Sequence, residues 1–157
     1  MYAWIDWWNN AILDCIVFMA IFIGFMACVI HYSRVYKIKN SMINYIERSE
    51  GIKTEEEFRT VLNKLGYPAT DPYVICRCHP SSLGGHYFLK LYAEFQIPFT
   101  PNGVRVEIRG ETRTIETGTL IKDFGENGSS WFSGDVSKDQ CFTSGINKQY
   151  ESCADAQ

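Results

Sequence analysis

Residues 11–30 read AILDCIVFMAIFIGFMACVI, and this run decides the architecture of the chain. Its one charged residue is Asp14, whereas nearly all the other charges of the protein follow Tyr32. About 20 consecutive apolar residues are enough to cross the hydrocarbon core of a bilayer as an α-helix. The core helices of soluble proteins are rarely apolar on every face over such a length. We therefore predict a transmembrane helix over residues 11–30.

Three other interpretations of the run stay open. It is also compatible with the buried core helix of a soluble protein. A cleaved secretory signal begins with basic residues, but residues 1–10, MYAWIDWWNN, contain no Lys or Arg. Phe25-Met26-Ala27-Cys28 is similar to a lipoprotein cleavage box, with Phe where Leu is usual and no basic region before it.

Aromatic side chains flank the run on both sides. Trp4, Trp7 and Trp8 precede it, and Tyr32 and Tyr36 follow it. Such rings prefer the interface between lipid headgroups and acyl chains. We therefore predict that residues 1–10 form an interfacial segment and that the lipid bilayer is a partner of the chain.

The helix is predicted to continue beyond the bilayer, as an amphipathic extension over residues 31–50. Apolar residues recur at helical spacing from Val35 to Ile46, and neither Pro nor Gly interrupts the pattern before Gly51. The extension offers one apolar stripe to a soluble domain.

Residues 51–124 predict a small α+β soluble domain. Thr54 and Glu57 fit a capping box at the start of a short helix, which Gly66 ends. Alternating apolar residues then predict strands, and Gly110-Glu111 predicts a tight turn before a last strand at 113–120. The fold class is α+β: a long N-terminal transmembrane and amphipathic helix, a short helix and a small antiparallel β-sheet. The amphipathic extension is expected to cover the apolar face of the sheet.

Residues 125–157 are rich in Gly, Ser, Asn and Asp and have no periodicity. They predict a polar, weakly ordered tail, unless its cysteines attach it to the domain. Cys76, Cys78, Cys141 and Cys153 lie outside the predicted span, and their even number allows two disulfides between tail and sheet. Free thiols are an alternative.

A metal site at Cys76-Arg77-Cys78-His79 is a further alternative, because three ligand types cluster there. The stretch lacks the gap between cysteines that zinc sites usually have, so we predict no metal.

Charge and motifs argue against several function classes. The formal net charge is −3, and no basic stripe interleaves with aromatic residues, so we expect no nucleic-acid partner. His31, His79 and His86 have no nucleophile or carboxylate arranged with them, and no Gly-rich phosphate loop is present. We predict that the chain is not an enzyme and has no catalytic residue, cofactor or small-molecule substrate.

Several stretches together resemble the TadE-like minor pilins of tight-adherence (Tad) pili, above all the TadE-like proteins of Gram-positive bacteria. They are the run Asp14–Gly24, the helix end Asn44–Gly51 and the short-helix end Leu62–Gly66. Phe95–Pro98 and the strand that follows it fit the same pattern. The resemblance covers about residues 11–120 and implies a pilin-like fold.

The resemblance implies a structural subunit, a minor pilin or pseudopilin of a Tad or type IV-like pilus or secretion apparatus. Such subunits sit in the plasma membrane by one helix, pack against other pilin-like subunits and carry the C-terminal domain outside the cytoplasm. An acid near the helix start pairs with the amino terminus of a neighbour, and this role falls on Asp14. A carboxylate costs about 2.5–3.5 kcal/mol at the bilayer centre and less near an end of the span. Because Asp14 lies one turn inside the span, the other interpretation is that it is a tolerated boundary residue.

The basic residues favour an alternative function. Arg34, Lys37 and Lys39 follow the predicted span, whereas no Lys or Arg precedes it, and no basic leader ending in Gly is visible. The positive-inside rule then places the C-terminal domain in the cytoplasm. The alternative is a single-pass accessory subunit of a membrane protein complex with a cytoplasmic β module.

Overall fold

The computed structural model describes residues 2–49, 51–52, 54–68, 70–81, 84–95, 103–113, 139–150 and 152–156. The elements in chain order are α1 (Tyr2–Arg48), α2 (Glu55–Lys64), β1 (Tyr73–Ser81), β2 (Gly84–Phe95), β3 (Val104–Glu111), β4 (Gln140–Ser144) and α3 (Cys153–Ala156). A long apolar helix, a short helix and an antiparallel sheet make this an α+β fold, as the sequence predicted.

Helix α1 is continuous over 47 residues and is therefore about 70 Å long. It begins at Tyr2, so the predicted interfacial segment 1–10 belongs to the helix almost entirely. The helix ends close to the predicted place. Gly51 has φ of 132°, a conformation that favours glycine, and its N–H donates to the Ile46 carbonyl at 3.0 Å.

Helix α2 has the ends that the sequence predicted. The Thr54 hydroxyl accepts a hydrogen bond from the Glu57 N–H at 3.2 Å, which satisfies a donor of the first turn. Gly66 follows the helix with φ of 85°, and the Tyr67 N–H donates to the Leu62 carbonyl. These contacts close the last turn around a left-handed residue.

The sheet has the strand order β3-β2-β1-β4, and every pair is antiparallel. Leu91 lies opposite Tyr73 on one side and Ile108 on the other, which fixes the register of the first three strands. β4 adds to the outer side of β1. It comes from the predicted tail, where the sequence showed no strand pattern.

One face of the sheet packs against the helices, and we name it the helix-covered face. The C-terminal part of α1 and the inner side of α2 supply its cover, as expected. Its buried apolar side chains are Tyr73, Ile75, Tyr87, Leu89, Leu91, Ala93, Phe95 and Ile108. They contact Val35, Ile38, Met42 and Ile46 of α1 and Phe58 and Leu62 of α2, among others.

The opposite face is also buried, which the sequence did not predict. We name it the disulfide face. Val74, Cys76, Cys78, Phe88 and Tyr92 lie on it beneath Cys153 and Ala156, with Ile146 and Tyr150 packed at its margin. The cover comes from residues that follow β4 in the C-terminal segment, which we define as residues 139–150 and 152–156. This sheet therefore lies between two layers.

The predicted turn at Gly110-Glu111 is wrong, because both residues belong to β3 and Gly110 pairs with Leu89. A Cβ atom at Gly110 would lie 2.5 Å from Ile43 Cδ1 and 2.8 Å from Lys39 Cδ. Glycine at this position therefore allows α1 to approach the sheet closely. Apart from Arg113, the predicted strand 113–120 lies outside the described residues.

Candidate functional site

The N-terminal part of α1 carries a large apolar surface that the rest of the chain does not cover. By length and composition, α1 is suited to cross a membrane, although a signal sequence would meet the same criterion. None of its most apolar 18-residue window is buried. The exposed large apolar side chains of residues 7–30 are Trp7, Trp8, Ile12, Leu13, Ile16, Val17, Phe18, Met19, Ile21, Phe22, Ile23, Phe25, Met26, Val29 and Ile30.

Asp14 lies within this apolar surface and is itself exposed. No side chain among the described residues pairs with it. A carboxylate in an apolar environment is favourable only when a cation or a hydrogen-bond donor reaches it. The structure therefore leaves the predicted assembly residue available to another molecule.

The apolar part of α1 continues without a break into the part that packs on the domain. Arg34 Nη2 donates to the Gly66 carbonyl at 3.2 Å, so α1 is bonded to the end of α2 just beyond the predicted span. The His31 ring lies 6.5 Å from the Phe95 ring at the end of β2. Because both contacts lie close to residue 30, no free linker separates the apolar helix from the sheet.

Two tyrosines and a lysine occupy the next turns of α1. The Tyr32 and Tyr36 rings are stacked with centroids 6.3 Å apart, and the Lys39 ammonium lies 4.2 Å from the Tyr36 centroid. Lys39 is buried, because the methylene groups of its side chain pack against Gly110, which has no side chain of its own. A lysine that the sequence suggested as a topology signal is therefore also part of the packing between α1 and β3.

The structure brings the four predicted cysteines together in two pairs. Cys76 is bonded to Cys141 of β4, and Cys78 is bonded to Cys153 of α3. Cys76 and Cys141 are direct partners in the antiparallel register. Both bridges join β1 to the C-terminal segment. The sequence predicted an ordered tail only if its cysteines attached it to the domain in this way.

Disulfide formation also bears on the alternative metal site. Zinc is held by thiolates, and neither Cys76 nor Cys78 has a free thiolate when bridged. Among the described residues, no cluster of three or more His, Cys, Asp or Glu side chains is placed to hold a metal ion.

Lys90 is a buried charge that the sequence analysis missed. It lies on the disulfide face, opposite the apolar face that the sequence predicted, and it is 3% exposed. Its ammonium lies 3.5 Å from the Glu107 carboxylate and 5.3 Å from the centroid of the Tyr150 ring. The aromatic ring over the ammonium replaces part of the hydration that burial removes.

The pKa of Glu107 reflects this arrangement. Partial burial alone raises the pKa of its carboxyl group, but the hydrogen bond from Arg109 and the ammonium of Lys90 outweigh that effect. The pKa therefore lies below its ordinary value, and Glu107 faces Lys90 as a carboxylate at neutral pH.

One signal in the sequence, which the prediction of a single apolar face did not use, could have revealed the second buried face. Phe88 and Tyr92 alternate with the apolar residues of the helix-covered face, so they had to point to the other side of β2. Two large aromatic rings and two cysteines on that side need a cover. Only the three-dimensional pairing identifies the C-terminal segment as that cover.

No protein-family model, no curated protein sequence and no solved structure matches this chain.

Proposed function

We propose that the chain is a single-pass membrane protein that acts as a pilin-like structural subunit, with its disulfide-bonded domain outside the cytoplasm. The proposal rests above all on α1. One continuous helix carries an uncovered apolar surface over residues 7–30 and an amphipathic half that packs into the core of the domain. Lipid chains and the apolar helices of neighbouring subunits can both cover such a surface.

The continuous helix and its contacts with the domain support an assembly role rather than a simple tether. An anchor that only holds a domain at a membrane needs no fixed orientation, whereas a subunit packed helix to helix must hold its domain at a fixed angle to the helix. The contact of Arg34 with Gly66 and that of His31 with Phe95 provide such coupling at the membrane end. Asp14 then lies on a helix whose position relative to the domain is fixed.

The two disulfides support the extracytoplasmic orientation. Structural disulfides form and persist outside the reducing cytoplasm. The bridges close long separations of 65 and 75 residues, for which the chain-entropy model gives about 4 kcal/mol each. A domain that depends on such bridges suits an oxidising compartment.

Thiol accessibility in intact cells tests this orientation. In a Cys15→Ser/Cys28→Ser background, which removes both free cysteines, we expect no labelling by a membrane-impermeant maleimide. Labelling should appear after an impermeant phosphine reductant is added, because it opens the bridges from outside. Labelling that needs no reductant, and only after permeabilisation, would place the domain in the cytoplasm.

Asp14 tests the assembly role. We expect Asp14→Ala to enter the membrane as well as the wild type, because alanine is easier to insert than a carboxylate. Recovery of the chain in crosslinked assemblies should fall, because the carboxylate is lost. Asp14→Glu is the matched control and should retain assembly. Equal assembly of Asp14→Ala and the wild type would reduce Asp14 to a boundary residue.

A second candidate function is favoured by one observation. Lys37 and Arg34 follow the apolar stretch while residues 1–10 hold no Lys or Arg, which is the charge pattern of a cytoplasmic C-terminus. In that orientation the chain is an accessory subunit of a membrane complex. The two disulfides argue against it, and the labelling experiment separates the two functions.

A further inference from the structure

We propose that a groove at the membrane end of the domain binds the headgroup of an anionic phospholipid. The groove has a volume of about 550 Å³ and runs along α1, with Leu65 at the end of α2 on its other side. The inference rests on the proposed membrane insertion of α1 and goes beyond it by assigning a lipid class and a binding site.

The apolar and charged parts of the groove follow one another in the same order as the acyl chains and the phosphate of a phospholipid. Val29, Ser33 and Lys37 line it at intervals of four residues, and Ile30 and Arg34 line it in the adjacent row. Residues four apart lie above one another on a helix face. The groove is therefore apolar where the span ends, and its two cations follow one to two turns farther along, beside Ile38 and Ser41. Acyl chains would contact the apolar end, and the phosphate would lie between the two cations.

The depth of the cations fits the headgroup layer. At about 1.5 Å per residue, Arg34 lies about 6 Å and Lys37 about 10 Å beyond Ile30 along the helix axis. The polar layer on each side of a bilayer is about 5–8 Å thick. Helix side chains lean toward the N-terminus, which here is the direction of the membrane. Both cationic groups can therefore reach the level of the lipid phosphates.

The charges around the groove are also suitable for binding an anionic phosphate group. The hydrogen bond to the Gly66 carbonyl holds the Arg34 guanidinium at the groove wall, and its other N–H groups can serve a phosphate. A side chain at Gly66 would crowd this contact, because its Cβ would lie 3.1 Å from Arg34 Nη2. Asp71 and Glu94 contribute to a neighbouring cavity of about 180 Å³ that Arg34 also lines, whereas none of the described residues that line the groove is acidic. Lys37 is exposed in the groove and is the clearest residue to test.

The experiment uses the full-length chain in nonionic detergent, with bound lipid counted by native mass spectrometry. Dioctanoyl-phosphatidylglycerol is titrated against dioctanoyl-phosphatidylcholine, which has the same chains and no net charge, and against inorganic phosphate, which has no chains. We expect phosphatidylglycerol to bind more tightly than phosphatidylcholine. Inorganic phosphate should compete poorly for the site.

Substitutions then locate the site. Lys37→Gln should weaken the binding of phosphatidylglycerol about fivefold, which is the usual effect of one cation near an anionic headgroup. The binding of phosphatidylcholine should stay unchanged. Lys37→Arg should preserve binding. Arg48→Gln, at the far end of the same helix, is the matched charge control and should have no effect.

The outcomes separate this inference from the proposed function. Equal binding of the two lipids, or a Lys37→Gln protein that binds like the wild type, would overturn it. Phosphate that competes as well as phosphatidylglycerol would show a simple anion site and would also overturn the lipid site. Alkaline extraction of membranes tests insertion independently: a chain that stays in the pellet but lacks lipid selectivity refutes only the lipid site.

Discussion

The two faces of the sheet are buried by different means. The helix-covered face is held by α1 and α2, whose apolar side chains share one buried cluster with it, and no disulfide joins these helices to the sheet among the described residues. The disulfide face is covered by a segment with one short strand and a helical turn, which two covalent bonds attach to β1. Where a segment lacks enough apolar surface to hold itself in place, the cross-links reduce the conformational freedom that folding must remove.

The largest expected effect comes from opening the disulfide face. Cys78→Ser with Cys153→Ser removes the bridge to α3, which spans 75 residues, and should lower the free energy of unfolding by about 4 kcal/mol. Hydrogen exchange in the full-length chain should become faster in the C-terminal segment, while the pairing of β2 with β3 stays protected. The Cys15→Ser/Cys28→Ser chain is the control. Equal loss of protection on both faces would show that the bridge stabilises the whole domain and not chiefly the disulfide face.

The helix-covered face should respond to the loss of a single apolar side chain. Met42 is fully buried between α1 and the sheet, so Met42→Ala should cost about 3 kcal/mol. Met19→Ala is the matched control on the same helix, because Met19 is 52% exposed and lies in the apolar part. Chemical denaturation in detergent should separate the two variants, while both disulfides remain formed. A similar loss in both would mean that burial against the sheet does not decide stability here.

A smaller effect is expected at the closest approach of α1 to β3. Gly110→Ala places a methyl group against the end of Ile43 and the stem of Lys39, so both side chains must move. We expect a loss of about 1 kcal/mol, since these side chains are flexible and yield at modest cost. Ile43→Val removes the nearest atom and should recover part of the loss in the double variant. Additive losses in a double-mutant cycle would argue against the contact.

The smallest effect concerns the pH dependence of the disulfide face. The folded pKa of Glu107 lies below its unfolded value, so its contribution is present above the unfolded pKa and is lost as pH falls through the folded pKa. Glu107 is partly exposed, and we expect at most about 1 kcal/mol. The stability difference between the wild type and Glu107→Gln should therefore be seen at neutral pH and shrink as the pH falls below the ordinary pKa of a glutamate, about 4.3. A constant difference would assign the effect to packing.

Parts of the fold that depend on short-range patterns were predicted from the sequence. The capping of α2 by Thr54 is a contact between residues three apart, and the end of α1 at Gly51 is a local backbone requirement. Gly110 shows the limit of such patterns. A glycine beside a charged residue predicts a turn, yet its role follows from Ile43 and Lys39, which are distant in sequence.

The sequence by itself determined the apolar helix, its amphipathic continuation and the alternating strands, because each of these follows from a period of a few residues. It also singled out Asp14 and the cysteines by residue type. Tertiary structure alone decided that Cys76 pairs with Cys141 and Cys78 with Cys153, that β4 joins the sheet, and that Lys90 is buried. The physical reason is that these features depend on segments more than 60 residues apart or on the cover of a second face. No local period records which distant segment will provide that cover.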